Sequence, residues 1–168
     1  EEAKAIGAVN CIKHQQNQLI GYNTDAFGFQ QSIKPFLEPQ HNRALILGTG
    51  GAAKAVAYIL KKIGIDYLQV SRNPTGEREL SYQQLNEMVI KHHTFIINTT
   101  PVGTFPNTNE CPAIPFEFIT PEHFVVDLIY NPEKTLFLEK AEEKGAMILN
   151  GHSMLVQQAE KSWEIWNS

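Results

Sequence analysis

The residues Gly48-Thr49-Gly50-Gly51-Ala52-Ala53 stand between an apolar run, Ala44 to Leu47, and an alanine-rich stretch of helical pattern. A strand, a glycine turn and a helix in that order suit the pyrophosphate of a dinucleotide. Gly48 permits the tight turn. Gly50 lacks a Cβ, so backbone can approach the phosphates, and Ala53 fills the third small position of G-x-G-x-x-G/A, where helix packs on strand. The N-terminus of that helix offers free N–H groups and the positive end of its dipole to the anion. Gly48, Thr49, Gly50, Gly51 and Ala52 are therefore read as cofactor-binding. The residue ending the next strand separates the dinucleotides, because an acidic side chain there binds the free ribose hydroxyls of NAD. Here that residue is Ser71, followed by Arg72 and Asn73. No carboxylate stands where it would repel a phosphate, and a guanidinium can clamp the 2′-phosphate bidentately. Ser71, Arg72 and Asn73 thus point to NADP. Arg78 on the same loop is a further candidate contact, and a solvated surface arginine is the plain alternative for Arg72.

Composition sets the bounds. The chain has 168 residues, of which 42% are hydrophobic, enough for one sizeable α/β domain or one domain plus a remnant. A net charge of −4 and a pI near 5.9 argue against nucleic acid as a partner. No apolar run approaches the roughly 20 residues of a membrane span, and no basic-then-apolar leader is present. Cys11 and Cys111 are too few for a disulfide framework, which fits a reducing cytoplasm. The six histidines form no His-x₃-His pair, and His92 and His93 are adjacent, so their rings diverge and both are expected exposed. No metal site is expected.

These residues need elements to position them. Two short strands are expected at 7–13 and 19–23 around the polar turn His14-Gln15-Gln16-Asn17-Gln18. Thr24 or Asp25 then caps a helix running to about Leu37, with Gly28 useful inside it if something packs close. The first strand of the nucleotide unit covers 44–48. Its helix, Ala52 to Ile63, buries Val56, Ile59, Leu60 and Ile63 and ends at Gly64. Further strands are expected at 67–71, 95–98, 124–129 and 146–149, with helices starting at Ser81 and at Leu136. Five of the nine prolines fall in 101–121, the mark of a long ordered loop. The last helix carries Leu155, Ala159, Trp163 and Trp166 as an apolar stripe, most simply core packing. Alternating strands and helices predict a Rossmann-like, doubly wound parallel sheet.

Six ordered motifs extend this reading. They are Gly7-Ala8-Val9-Asn10-Cys11, Gly21-Tyr22-Asn23-Thr24-Asp25, Gly48-Thr49-Gly50-Gly51-Ala52, Asn98-Thr99-Thr100-Pro101, Asp127-Leu128-Ile129-Tyr130-Asn131-Pro132 and Asn150-Gly151-His152-Ser153-Met154-Leu155-Val156-Gln157-Gln158-Ala159. Together the chain resembles shikimate dehydrogenase, along nearly its whole length. The resemblance implies NADPH-dependent reduction of 3-dehydroshikimate to shikimate, a step toward chorismate and the aromatic amino acids. It also implies an N-terminal substrate domain whose catalytic lysine lies in a motif this chain lacks. Residues 1–23 are then a remnant of that α/β domain, 24–151 the NADP-binding domain, and 152–168 a helix returning to the substrate domain. On this reading the chain is a part that binds cofactor without turnover. The face left by the missing domain, with Leu155, Trp163 and Trp166, would favour self-association.

The resemblance also implies residue roles. Asp25 matches the aspartate that the family pairs with the lysine beside the reacting hydroxyl, and hydride delivery to a carbonyl needs such a proton donor for the developing alkoxide. Asp25 is equally a helix N-cap, and both roles can coexist. Asn10 resembles the asparagine that binds the ring hydroxyls of the substrate, and Gln158 the glutamine that reaches it across the cleft. Tyr130, after a buried strand, lines the nicotinamide and substrate pocket or packs at the strand end. Asn98, Thr99 and Thr100 fall near the cofactor ribose or diphosphate. Gly151 and Met154 resemble residues beside the nicotinamide, although Met154 also suits a helix core. The family's usual strand-two motif, Asn-Arg-Thr, is Ser71-Arg72-Asn73 here. Two other readings remain open from the sequence: a quinate/shikimate dehydrogenase using NAD, and a non-catalytic NADP-sensing domain.

Overall fold

The computed structural model describes residues 1–168. In chain order its main elements are α1 (Glu2–Ile6), β1 (Cys11–Gln15), β2 (Gln18–Tyr22), α2 (Thr24–Ile33), β3 (Arg43–Leu47), α3 (Gly51–Lys62), β4 (Asp66–Ser71), β5 (Glu79–Ser81), α4 (Glu87–His92), β6 (Phe95–Asn98), β7 (Phe124–Asp127), α5 (Leu136–Glu142), β8 (Met147–Leu149) and α6 (His152–Asn167). Strands β3 to β8 form one parallel six-stranded sheet in the order β5-β4-β3-β6-β7-β8. This is the expected doubly wound arrangement, and its chain reversal lies between β3 and β6, where ligands of open α/β sheets bind.

Both faces of the sheet are covered at its centre, which is why β3, β6 and β7 read as apolar runs, whereas β4 and β5 toward one edge carry polar residues. Ala44 and Ile46 of β3 pack with Phe29, Ile33, Val56, Ile59, Phe95 and Phe124 under α2 and α3. Leu45 and Leu47 face the opposite core with Val70, Ile90, Ile96, Phe137 and Leu138. The strand ends align: Leu47 pairs with Asn98, and Asn98 with Asp127. The loops that follow these residues therefore leave the sheet side by side.

Outside the sheet the structure departs from expectation in several places. Residues 2–6 are helical and Gly7 caps them in the left-handed conformation, φ 73°, so the first strand begins at Cys11 and not at Gly7. Its hairpin closes through Gln16 and Asn17, both at positive φ, the geometry of a primed two-residue turn without the usual glycine. Helix α2 is capped by Asn23, whose Oδ1 accepts from Ala26 N–H at 3.0 Å, and not by Thr24 or Asp25. Ser81 does not start a helix. It ends β5 and caps a 3₁₀ turn over 82–84, and α4 begins only at Glu87, capped by Asn86. His92 is exposed and His93 half-buried, with its Nδ1 2.7 Å from the Val89 carbonyl.

The terminal helix corrects the core-packing reading of its apolar stripe and agrees with the uncovered face that the resemblance implies. Trp163 and Trp166 are 66% and 54% exposed and are not core residues. Helix α6 packs instead through Met154 and Ser162. It meets α2 so closely that a Cβ on Gly28 would lie 2.7 Å from the Met154 carbonyl oxygen, so Gly28 serves a close helix crossing. At its far end Trp166 Nε1 donates to the Ile12 carbonyl of β1 at 3.0 Å. No helix is long and apolar enough to cross a membrane.

Candidate active site

Two regions gather the residues singled out above. The first lies where the N-terminus of α2 meets α6 and the segment before β1. Asn10 Nδ2 donates to Asp25 Oδ1 at 2.8 Å, and Asn10 Oδ1 accepts from the Thr24 N–H at 2.7 Å. Thr24 Oγ1 lies 3.0 Å from Ser162 Oγ and 3.3 Å from Gln158 Oε1. Ser162 Oγ donates back to the Gln158 carbonyl at 2.9 Å. Asn10, Asp25 and Gln158, distant in the chain, thus converge on one hydrogen-bonded cluster. Because Asn23 takes the capping role, Asp25 Oδ2 is left free for other chemistry. Burial raises the pKa of Asp25, and the hydrogen bond from Asn10 only partly opposes it. No lysine, arginine or histidine forms an ion pair with Asp25. A carboxyl group with a raised pKa, half-shielded beside an amide, is suited to hold or pass a proton.

Thr24 and Ser162 were not among the expected residues. Both are buried hydroxyls. The only signal for them is position: Thr24 adjoins Asp25, and Ser162 lies one helical turn after Gln158 on the same face.

The second region follows the strand ends. Gly48 takes φ 112° and donates its N–H to the Val70 carbonyl at 2.8 Å. A Cβ there would strike Thr99 Oγ1 at 2.6 Å, so only glycine fits the turn. Thr99 Oγ1 itself donates to the Leu47 carbonyl at 2.6 Å, locking the β6 loop against the glycine turn. Gly50 is the N-cap of α3 and has no side-chain partner, and a Cβ on it would project into open space. That open cradle over a helix N-terminus fits a phosphate group. Ala53 is fully buried beneath it. A cleft of about 510 Å³ opens beyond Thr99, lined by Thr99, Thr100, Thr104, Phe105, Leu128 and Tyr130 among others. Tyr130 is 51% exposed at its mouth.

The remaining expected residues divide. Asn98 is fully buried beneath the cleft, with its amide held by Asp127 and Thr100. Met154 is part of the core under α2. Gly151 caps α6 against the segment that follows β7, where a Cβ would fall 1.9 Å from the Leu128 carbonyl oxygen. Ser71 ends β4 with its Oγ buried and unpartnered, and Arg72 and Asn73 are exposed beyond it. Arg78 is drawn away from this end of the sheet. It pairs with Asp66, donates to the Tyr67 carbonyl at 2.8 Å and stacks on the Tyr67 ring. Asp66 and Tyr67 begin β4, so Arg78 sits at the opposite end of the strand from Ser71 and is not a companion of Arg72. No group of three or more His, Cys, Asp or Glu side chains is placed to hold a metal ion.

Known proteins share the sequence pattern and the fold. No protein-family model matches the chain. The shikimate dehydrogenase (NADP(+)) of Carboxydothermus hydrogenoformans is 40% identical over 179 residues, covering 98% of this chain and 64% of that protein. The shikimate 5-dehydrogenase of Thermus thermophilus, solved in complex with NADP(H) and shikimate, superimposes with a TM-score of 0.84 at 33% identity, over 98% of this chain and 64% of that one. The Listeria monocytogenes enzyme, solved with shikimate and NAD, gives a TM-score of 0.87 at 27% identity, over 98% and 65%. The chain spans about 64% of the length of the curated relatives it matches. In sequence and in fold the chain is similar, along its whole length, to shikimate dehydrogenases.

Proposed function

We propose that the chain carries the NADP site and one side of the substrate site of an NADP-dependent shikimate dehydrogenase, reducing 3-dehydroshikimate to shikimate. The observation that carries this reading is the convergence of Asn10, Asp25 and Gln158 on one hydrogen-bonded cluster. On this reading residues 24–151 are the cofactor domain, residues 1–23 belong to the substrate domain, and α6 bridges the two.

NADPH, when bound, supplies the hydride. The chain's own residues do the rest. The N-terminus of α3 and the Gly48–Gly51 turn hold the pyrophosphate by backbone N–H groups and the helix dipole. Arg72 meets the 2′-phosphate, and the absence of a carboxylate at 71–73 favours NADP over NAD. In the cleft they line, Tyr130 would face the nicotinamide, and Thr99 and Thr100 the cofactor ribose or diphosphate. Asn10 and Gln158 orient the hydroxyl-bearing ring of the substrate. Asp25, with Oδ1 held by Asn10, keeps Oδ2 for the proton that moves as carbonyl becomes hydroxyl.

Asp25 has no cationic partner within the chain. We infer that residues 1–168 alone bind cofactor but do not turn over, since the lysine motif that the resemblance pairs with Asp25 is not among them. The test has two parts. Titration of isotopically labelled protein, loaded with NADP⁺, with shikimate should move the amide signals of Thr24, Asp25 and Gln158. Signals that stay fixed at saturating shikimate would count against the substrate assignment, and steady NADPH oxidation with 3-dehydroshikimate by these 168 residues would count against the missing-partner reading.

A further inference from the structure

The Asp127 carboxylate has no role in the site as described, yet it is fully buried at the end of β7. Its Oδ1 accepts from the Ile129 N–H and from Asn98 Nδ2, each at 3.1 Å, and its Oδ2 accepts from Thr135 Oγ1 at 2.7 Å. The three donors belong to three different parts of the fold. Asn98 ends β6 and, through Oδ1, holds the Thr100 N–H at 3.0 Å and the Thr100 hydroxyl at 2.7 Å. Thr135 caps α5. Ile129 opens the segment that leads to Tyr130.

Ile129 also reaches the other way. Its carbonyl accepts from the Gly151 N–H at 3.0 Å, and Gly151 starts α6, the helix that brings Gln158 and Ser162 to Thr24. A single carboxylate is therefore tied on one side, through Asn98, to the Thr100 wall of the cleft. On the other side it is tied, through the Ile129 peptide and Gly151, to the helix that carries Gln158. Burial pushes its pKa up to about 6 against the pull of its three hydrogen bonds. An apolar residue of similar size would escape that penalty but would leave the Asn98, Ile129 and Thr135 donors buried and unpaired.

We propose that Asp127 is a positioning residue that holds the cofactor-cleft wall and the α6 arm of the Asn10–Asp25 cluster in one register. The functional half of this statement rests on the reading of the cleft as the cofactor site; the structural half does not. Two readouts separate them: amide hydrogen exchange by NMR, and NADPH titration, on wild type, Asp127→Asn and Asp127→Ala. Alanine removes the acceptor entirely, whereas asparagine keeps an oxygen for Asn98 and Ile129. In Asp127→Ala the Ile129 and Gly151 amides should exchange about tenfold faster or more, while Leu45 and Ile46 in β3 keep their rates. The NADPH Kd should rise by about tenfold, with Asp127→Asn between the two proteins. A merely core-filling residue would lower stability and speed exchange throughout without this localised pattern. Unchanged exchange at Gly151 in Asp127→Ala overturns the proposal, and should that variant not fold, unchanged exchange at Gly151 in Asp127→Leu, which fills the space but also removes the acceptor, overturns it equally. Localised fast exchange with an unchanged NADPH Kd would refute the link to cofactor binding. Wild type without measurable NADPH affinity would refute the cofactor reading instead, and the exchange comparison would still decide the register claim.

Discussion

Gly28 of α2 and Met154 of α6 meet so closely that a Cβ on Gly28 would stand 2.7 Å from the Met154 carbonyl oxygen and 3.0 Å from the Gln158 Cβ. The crossing is backbone against backbone and has little room to give. It fixes how far α6 stands from α2, and so where Gln158 stands from Thr24 and Asp25.

Gly28→Ala is therefore expected to destabilise the chain. Alanine gains up to about 1 kcal/mol of helix propensity over glycine, but overpacking against a fixed carbonyl costs about 1–3 kcal/mol and wins. Chemical denaturation should show a net loss, and shikimate affinity should fall with it because Gln158 is displaced. A neutral or stabilising effect would mean that the helices separate freely.

Asp25→Asn keeps the hydrogen bond that Asn10 makes while removing the titratable oxygen. In an enzyme that contains this chain, kcat should fall well beyond about tenfold with little change in NADPH affinity, consistent with loss of proton transfer and not of binding. A near-normal kcat would return Asp25 to a purely structural role.

Asp127 sets a pH dependence of stability. Its folded pKa of about 6 lies above the ordinary 3.8, so the folded chain binds more protons than the unfolded chain between those values. The contribution is fully present below about pH 4 and is lost as pH rises through about 6, by of order 3 kcal/mol for a shift of this size. Asp25 shifts in the same direction, so the comparison that isolates Asp127 is wild type against Asp127→Asn. Wild type should lose stability relative to the variant from pH 4 to pH 7. A constant difference would place the Asp127 pKa at an ordinary carboxylate value.

Much of the sheet was legible because its physics is local. A strand buried on both faces reads as an apolar run, as at 44–47 and 124–126, and the glycine turn needs a positive φ at Gly48 that side chains resist. The hairpin turn was harder to read, because Gln16 and Asn17 adopt positive φ without a glycine to advertise it. Ser81 carries every local mark of a helix cap, yet its extended neighbours are recruited into β5 and a 3₁₀ turn. The Trp163 and Trp166 stripe has helical spacing, but spacing alone does not say whether a face is covered. In the site, nothing local links position 10 to position 158, and only the ordered motifs brought Asn10, Asp25 and Gln158 together. Arg78 was misplaced because loop neighbours in sequence can leave a strand toward opposite ends, and here Asp66 and the Tyr67 ring hold it. Asp127 gave no sign of its three buried donors until the strand ends were aligned.

The most direct test of the account is a titration of the chain with NADPH and with NADH, followed by nicotinamide fluorescence, for wild type and for Arg72→Ala. NADPH should bind wild type about tenfold tighter than NADH or better, and Arg72→Ala should abolish most of that difference while leaving NADH affinity nearly unchanged. Equal affinity of wild type for the two cofactors, or an equal loss of both on removing Arg72, would contradict the assignment of this fold to NADP-dependent chemistry.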